Sequence, residues 1–164
     1  IAPGLNRSFA CEDWEIIDKT ILKEEKKRAF SAIKTDIKLQ IYGFDIDKKD
    51  VLAARQNAEE AGVDDCIVFG KNDVANLRSA GKKGIIVTNP PYGERLEDKE
   101  SVQSLYKHLG YTFRKLKNWS YYLITSYEDF EKEFGQEADK RRKLYNGMLK
   151  TNLYQYIGPR PPKK

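Results

Sequence analysis

Histidine and cysteine are scarce in this chain of 164 residues, and their scarcity closes off whole classes of chemistry. His108 is the single histidine; it falls beside Leu105 and Leu109 in a helical pattern and reads as structural or exposed rather than catalytic. Cys11 and Cys66 are far apart and have no Cys-x-x-Cys or histidine partner at ligand spacing. They read as free cytosolic thiols, and no metal site is expected. Long apolar runs are missing too. None approaches the ~18 residues of a membrane helix, and no charged-apolar-small leader opens the chain, so a cytoplasmic protein with no membrane segment is expected. Repeats and low-complexity stretches are absent as well.

What is present is ordinary in composition: 40% hydrophobic and 34% charged residues suit one soluble domain. That domain is expected over residues 1–158, with a basic, proline-rich tail at 159–164. The net charge of +5 is compatible with a polyanionic partner, although 30 basic and 25 acidic residues would equally make a solvated surface. Local basic clusters are Arg114-Lys115 with Lys117, Lys140-Arg141-Arg142-Lys143, and the tail from Arg160. Tyrosines interleave the later part, from Tyr106 to Tyr156, and most are expected in the core or sheet.

The most informative junction is where Gly84-Ile85-Ile86-Val87-Thr88 runs into Asn89-Pro90-Pro91-Tyr92-Gly93-Glu94-Arg95. The continuous β-branched run predicts a strand covered on both faces, as in a parallel sheet. Two prolines cannot donate to a ladder, so the strand ends near Asn89. Ligands of open α/β sheets bind just beyond the carboxyl ends of strands, which is where residues 89–92 fall. The Asn89 side-chain oxygen and the Pro90 carbonyl make two acceptors on a stiff backbone. Two acceptors suit the two hydrogens of an exocyclic amine or a carboxamide; gripping both frees the nitrogen lone pair to attack an electrophilic methyl. Tyr92 offers a flat face for stacking a base, worth about 1–3 kcal/mol. A proline-rich turn closing a strand is the bland alternative. Glu94 and Arg95 are readable either as substrate contacts or as a surface pair.

Residues 89–92 resemble the (N/D)PP(Y/F) signature of S-adenosylmethionine-dependent methyltransferases that modify exocyclic nitrogens. The longer string from Thr88 to Leu96, the opening Ile1 to Ala10 and the late Arg142-Lys143-Leu144-Tyr145-Asn146-Gly147 are similar to a narrower RNA methylase family. Its best-known members are large-subunit ribosomal RNA guanine-N2 methyltransferases, which usually carry a THUMP domain. The resemblance implies S-adenosyl-L-methionine as cofactor, RNA as partner, and guanine N2 of 23S ribosomal RNA as target. It assigns Asn89, Pro90, Pro91 and Tyr92 to catalysis, with Asn89 also beside the cofactor.

Elsewhere the periodicity predicts a helix over 13–35, a strand at Leu39–Phe44, and a helix over 48–61 capped by Asp47 and stopped by Gly62. Further strands are expected at Cys66–Phe69 and Ser120–Thr125, with a turn at Gly81–Gly84. A helix is expected over 101–117 and a short one at Phe130 and Phe134. A hairpin is expected around Asn146-Gly147. Alternation of strand and helix ending in a hairpin argues an α/β fold with a mostly parallel sheet. It fits a Rossmann-like class I methyltransferase, and by itself also a flavodoxin-like or nucleotide-binding fold.

An acid ending the Leu39–Phe44 strand would lie on the same rim as Asn89. The resemblance makes Asp45 the ribose ligand, sets Ile46 against the adenine, and gives Asp73 the adenine amino group. Helix or turn capping is the alternative for both acids. The family's fold begins with a strand and a glycine loop for the cofactor's amino-acid portion. Here Gly4 is the only glycine among the first 42 residues, and Gly-x-Gly occurs nowhere. The chain is therefore expected to be a fragment lacking that strand, that loop and any THUMP domain. Alternatives within the same motif are an adenine-N6 DNA methyltransferase and a protein-glutamine methyltransferase. A non-catalytic RNA-binding remnant is the alternative outside enzymes.

Overall fold

The computed structural model describes Leu5 and residues 7–34, 37–78, 83–93 and 99–159, apart from the Asn146 side chain. The expected turn at Gly81, the pair Glu94 and Arg95, and the tail from Arg160 lie outside the described residues. The chain divides into two compact units, Ile1–Lys71 and Asn72–Lys164.

The first unit is built around one parallel strand pair. A 3₁₀ turn at Ala10–Asp13 precedes helix α1, Lys19–Ser31. This helix starts later than the expected residue 13. The Asp18 carboxylate takes both the Thr20 N–H and the Thr20 hydroxyl at 2.8 Å, which makes Asp18 the cap and leaves Trp14 to Ile17 in a turn. Strand β1, Ile41–Asp45, runs parallel to β2, Ile67–Lys71, with Ile41 opposite Ile67 and Asp45 opposite Lys71. Helix α2, Lys48–Glu60, crosses between them. Asp47 caps it as expected, accepting from the Lys49 N–H at 2.8 Å, and Gly62 follows the helix at φ +66°. Val51 and Ala58 are its buried residues.

The second unit carries β3 (Gly84–Thr88), α3 (Lys99–Arg114), β4 (Trp119–Thr125), α4 (Phe130–Phe134), β5 (Lys140–Asn146) and β6 (Leu149–Tyr156). Its sheet has the order β3-β4-β6-β5. The β3–β4 pair is parallel; β4–β6 and β6–β5 are antiparallel. The sheet is mixed: one parallel pair joined to the antiparallel hairpin that the pattern predicts. The hairpin register pairs Asn146 with Leu149, so the turn is Gly147-Met148, one residue later than expected. Gly147 has φ +62° at the first turn position, as a II′ hairpin turn requires, and only glycine adopts that conformation without strain.

The core of this unit follows directly from sequence period. Val102, Tyr106, Leu109 and Phe113 recur at helical spacing on α3 and are all buried. They meet the alternate residues Tyr121 and Leu123 of β4 and Tyr154 and Tyr156 of β6, together with Phe130 and Phe134 of α4. Phe130 lies 4.6 Å from Tyr154 and Phe134 lies 4.8 Å from Tyr156, centroid to centroid. The expectation that most of these tyrosines lie in the core or sheet holds: Tyr106, Tyr121, Tyr154 and Tyr156 are buried, Tyr122 and Tyr145 are in strands, and Tyr111 is exposed on α3.

β3 is expected to be covered on both faces; among the described residues one of them is exposed. Ile85 and Val87 are 68% and 76% exposed. A run of β-branched residues specifies extended backbone through χ1 sterics, and that preference is blind to how many faces a partner covers.

Candidate active site

Strand β3 stops at Thr88, opposite Leu123, because the next two ring nitrogens can give β4 no hydrogen. Beyond it, Asn89 and Pro91 are exposed, Pro90 is buried, and Tyr92 and Gly93 are half-buried. The loop therefore reaches solvent at the carboxyl end of a strand, as the sequence predicts. Gly93 has φ +71°, and a Cβ there would lie 3.2 Å from Val102, so the residue after Tyr92 is glycine for both backbone and packing reasons.

Asn89 Oδ1 is not idle. The Tyr92 hydroxyl donates to it at 2.6 Å. The motif thus closes on itself, with the oxygen expected to hold an incoming amine meeting a donor from within the loop. From sequence, Tyr92 is expected to offer a stacking face; the hydroxyl contact is additional.

The loop is also held from beneath, by one of the tyrosines that the sequence places only in the core or sheet. The Tyr106 hydroxyl, from α3, donates to the Pro91 carbonyl at 2.7 Å. It also meets Thr125 Oγ1, at the end of β4, at 2.8 Å. Burial pushes the Tyr106 phenol up to about 12, so it keeps its proton throughout the neutral range. The available signal was a tyrosine, not a phenylalanine, at a core position of α3: a buried hydroxyl needs a partner.

The acids expected to hold a nucleoside lie where the strands end. Asp45 is the last residue of β1; its Oδ1 accepts from the Asp47 N–H at 2.8 Å, and both it and Ile46 are exposed. Asp73 caps the 3₁₀ turn Val74–Asn76 through the Ala75 N–H at 2.8 Å, the local role that capping acids take. Each carboxylate spends one oxygen on the backbone by these contacts. Asp45 and Ile46 belong to the first unit; Asp73 and residues 89–92 belong to the second. His108 is exposed on α3 and contacts Ser104 at 3.5 Å, in keeping with a structural reading.

Comparison with known proteins converges on one family. The model of the RMKL-like methyltransferase domain matches residues 1–155. The chain belongs to that family. A solved structure of a "possible methylase" from Clostridium difficile 630 is 62% identical, with a TM-score of 0.91 over 99% of this chain. The structure of SMU.472, complexed with SAH, is 43% identical with a TM-score of 0.91 over 98% of the chain. The ribosomal RNA large subunit methyltransferase K/L of Shewanella amazonensis is 40% identical over 94% of the chain. These likenesses establish the methyltransferase fold for the RMKL-like domain. The chain spans less than half the length of these relatives: 43% of each of the two solved chains and 23% of the Shewanella protein.

Proposed function

We propose that this RMKL-like domain is the catalytic part of an S-adenosylmethionine-dependent methyltransferase acting on an exocyclic amine in RNA, guanine N2 of 23S ribosomal RNA. The observation that carries this reading is the bond at Asn89. Its Oδ1, exposed beyond β3, already accepts a hydrogen from Tyr92 at 2.6 Å, so the loop presents an oxygen shaped for a donor. An RNA base amine takes that place, with the Pro90 carbonyl as second acceptor and the Tyr92 ring as stacking face. Such an amine cannot reach the loop from inside a helix, so the base is unpaired or flipped out.

The residues present also fit the cofactor. Asp45 keeps one carboxylate oxygen beyond its backbone bond and is assigned the ribose hydroxyls; exposed Ile46 offers an apolar face to the adenine; the second oxygen of Asp73 suits the adenine amino group. When bound, S-adenosylmethionine supplies a methyl on a sulfonium, already activated for attack. The domain's own task is then alignment and polar stabilisation. Support for RNA comes from the relative named as a ribosomal RNA methyltransferase and from the exposed run Lys140 to Lys143 on edge strand β5, followed by exposed Tyr145. Arg141 in that run is tied to Glu131 and lies over Tyr154, so Lys140, Arg142 and Lys143 are the candidates for phosphate contacts.

Incubating the intact protein with ribosomal RNA and tritiated-methyl S-adenosylmethionine should label the RNA, and nucleoside analysis should find N2-methylguanosine. Label in N6-methyladenosine would change the base assigned; no label in RNA would defeat the proposal. A second outcome follows from the closed loop. Tyr92→Phe keeps the ring and releases Asn89 from its internal donor. The apparent KM for RNA should fall up to about fivefold, the worth of one net hydrogen bond, as read from initial rates. A rise in KM would show that the hydroxyl helps to hold substrate.

A further inference from the structure

We propose that Tyr106 and Thr125 are positioning residues that aim the Asn89-to-Tyr92 loop through a directed chain of hydrogen bonds ending on the Pro91 carbonyl. This rests on the methyltransferase reading above and adds to it the device that sets the loop's orientation.

The direction of the chain follows from counting protons. A carbonyl can only accept, so the single Tyr106 hydroxyl proton goes to Pro91 at 2.7 Å. The Thr125 hydroxyl, 2.8 Å from the Tyr106 oxygen, must then be the donor there. Thr125 Oγ1 in turn accepts from the Tyr127 N–H at 3.1 Å. Each hydrogen in this chain has one destination: Tyr127 N–H to Thr125, Thr125 to Tyr106, and Tyr106 to Pro91. Both Tyr106 and Thr125 are fully buried. The Tyr106 ring is wedged edge-on against Phe130 at 5.0 Å and Tyr127 at 5.3 Å, so its hydroxyl has little room to swing.

The consequence for the loop is geometric. Proline rings already fix φ at residues 90 and 91. The peptide joining Pro91 to Tyr92 is planar, so holding its carbonyl fixes the remaining torsion at Pro91. Tyr92 is thereby set relative to Asn89, the two groups the reaction needs in register. A tyrosine serving the core alone could satisfy its hydroxyl on Thr125; here its proton is spent on the loop.

The test uses the intact protein and its Tyr106→Phe, Thr125→Val and Thr125→Ser variants. Phe and Val preserve shape and remove a hydroxyl; Ser restores one. Expected are a fall in kcat of roughly tenfold to a hundredfold for Tyr106→Phe and Thr125→Val, with KM values within about twofold, because misplacement taxes the reacting geometry rather than binding. Thr125→Ser should stay close to the wild-type kcat. Amide exchange at Tyr92 and Gly93 should quicken about tenfold in both hydroxyl-deleted variants while global melting moves little. Should Tyr106→Phe fail to fold, the Thr125 pair decides. Unchanged exchange at Tyr92 and Gly93, or a kcat within twofold of an active wild type, overturns the positioning role and spares the enzymatic reading. A wild type that labels no RNA overturns the enzymatic reading and the positioning role with it.

Discussion

Asn89→Ala is expected to lower methyl transfer to RNA by about a hundredfold to a thousandfold, the range found when one preorganised polar group aimed at a reacting centre is deleted. The side chain is exposed and carries no share of the core, so the loss should come without a fall in melting temperature. Its oxygen meets one donor, the Tyr92 hydroxyl at 2.6 Å, and that donor is itself at the loop surface. Removing the acceptor takes away one of the two contacts that turn the amine's lone pair outward. The cofactor contacts assigned to Asp45, Ile46 and Asp73 are untouched, so S-adenosylmethionine affinity measured by calorimetry should change by less than about twofold. Asn89→Asp, which keeps an oxygen at the same place, should retain more activity than the alanine variant. Single-turnover incorporation of labelled methyl separates the chemical step from release. Equal rates in wild type and Asn89→Ala would remove Asn89 from the site.

Gly110→Ala is the second large effect, and it is one where local and tertiary reasoning give opposite signs. In a helix interior, glycine to alanine stabilises by about 1 kcal/mol through backbone entropy. At Gly110, however, an added Cβ would collide with the Phe134 carbonyl oxygen and lie 2.8 Å from its carbonyl carbon. These are backbone atoms at the end of α4 and cannot turn aside as a flexible side chain could. The carbonyl also accepts from the Arg114 guanidinium, one turn further along α3. Relief therefore requires α4 to move as a body, and α4 carries Phe130 and Phe134, both fully buried. Overpacking of that kind typically costs about 1–3 kcal/mol, and because the obstacle is backbone the upper end applies, so a net loss of about 2 kcal/mol is expected after the propensity gain. Urea unfolding of the intact protein, read at the transition of this unit, checks it. Unchanged or raised stability would mean that α4 tolerates displacement. Because Gly110 and Tyr106 share a face of α3, a shift of α4 should also loosen the Phe130 wedge against Tyr106 and lower kcat.

Asn89, Tyr92, Tyr106, Gly110 and Thr125 belong to one unit of the fold, and local and long-range causes meet there. Some features are local enough for sequence alone to determine them. The end of β3 follows from two missing N–H groups at Pro90 and Pro91. The start of α2 follows from the Asp47 carboxylate, and the β5–β6 hairpin from a glycine free to take positive φ. The inward face of α3 follows in part from Leu105, Leu109, Thr112 and Phe113 at helical spacing, of which the last three are buried. In each case the cause lies within a few residues of its effect, or in a repeat that one element displays by itself. The asparagine-proline-proline-tyrosine group is likewise chemically legible, because its acceptors and stiffness belong to the tetrapeptide.

Other features belong to the tertiary structure. Tyr106 reaches Pro91 across 15 residues, and Thr125 reaches Tyr106 across 19. Nothing in the period of α3 or the alternation of β4 says that a buried hydroxyl will be turned toward a loop rather than another core atom. The late start of α1 shows the same limit at short range: Trp14 and Ile17 keep helical spacing, yet the cap forms at Asp18, where a carboxylate finds two donors. The bare face of β3 is a further case, since extended backbone is chosen by side-chain sterics while coverage depends on what packs against it. Sequence determines torsions, caps and which residues seek burial, because those preferences act through bonds and near neighbours. Only packing decides which distant hydroxyl, carbonyl or ring is met, because hydrogen bonds and close contacts depend on distance and direction in space rather than along the chain.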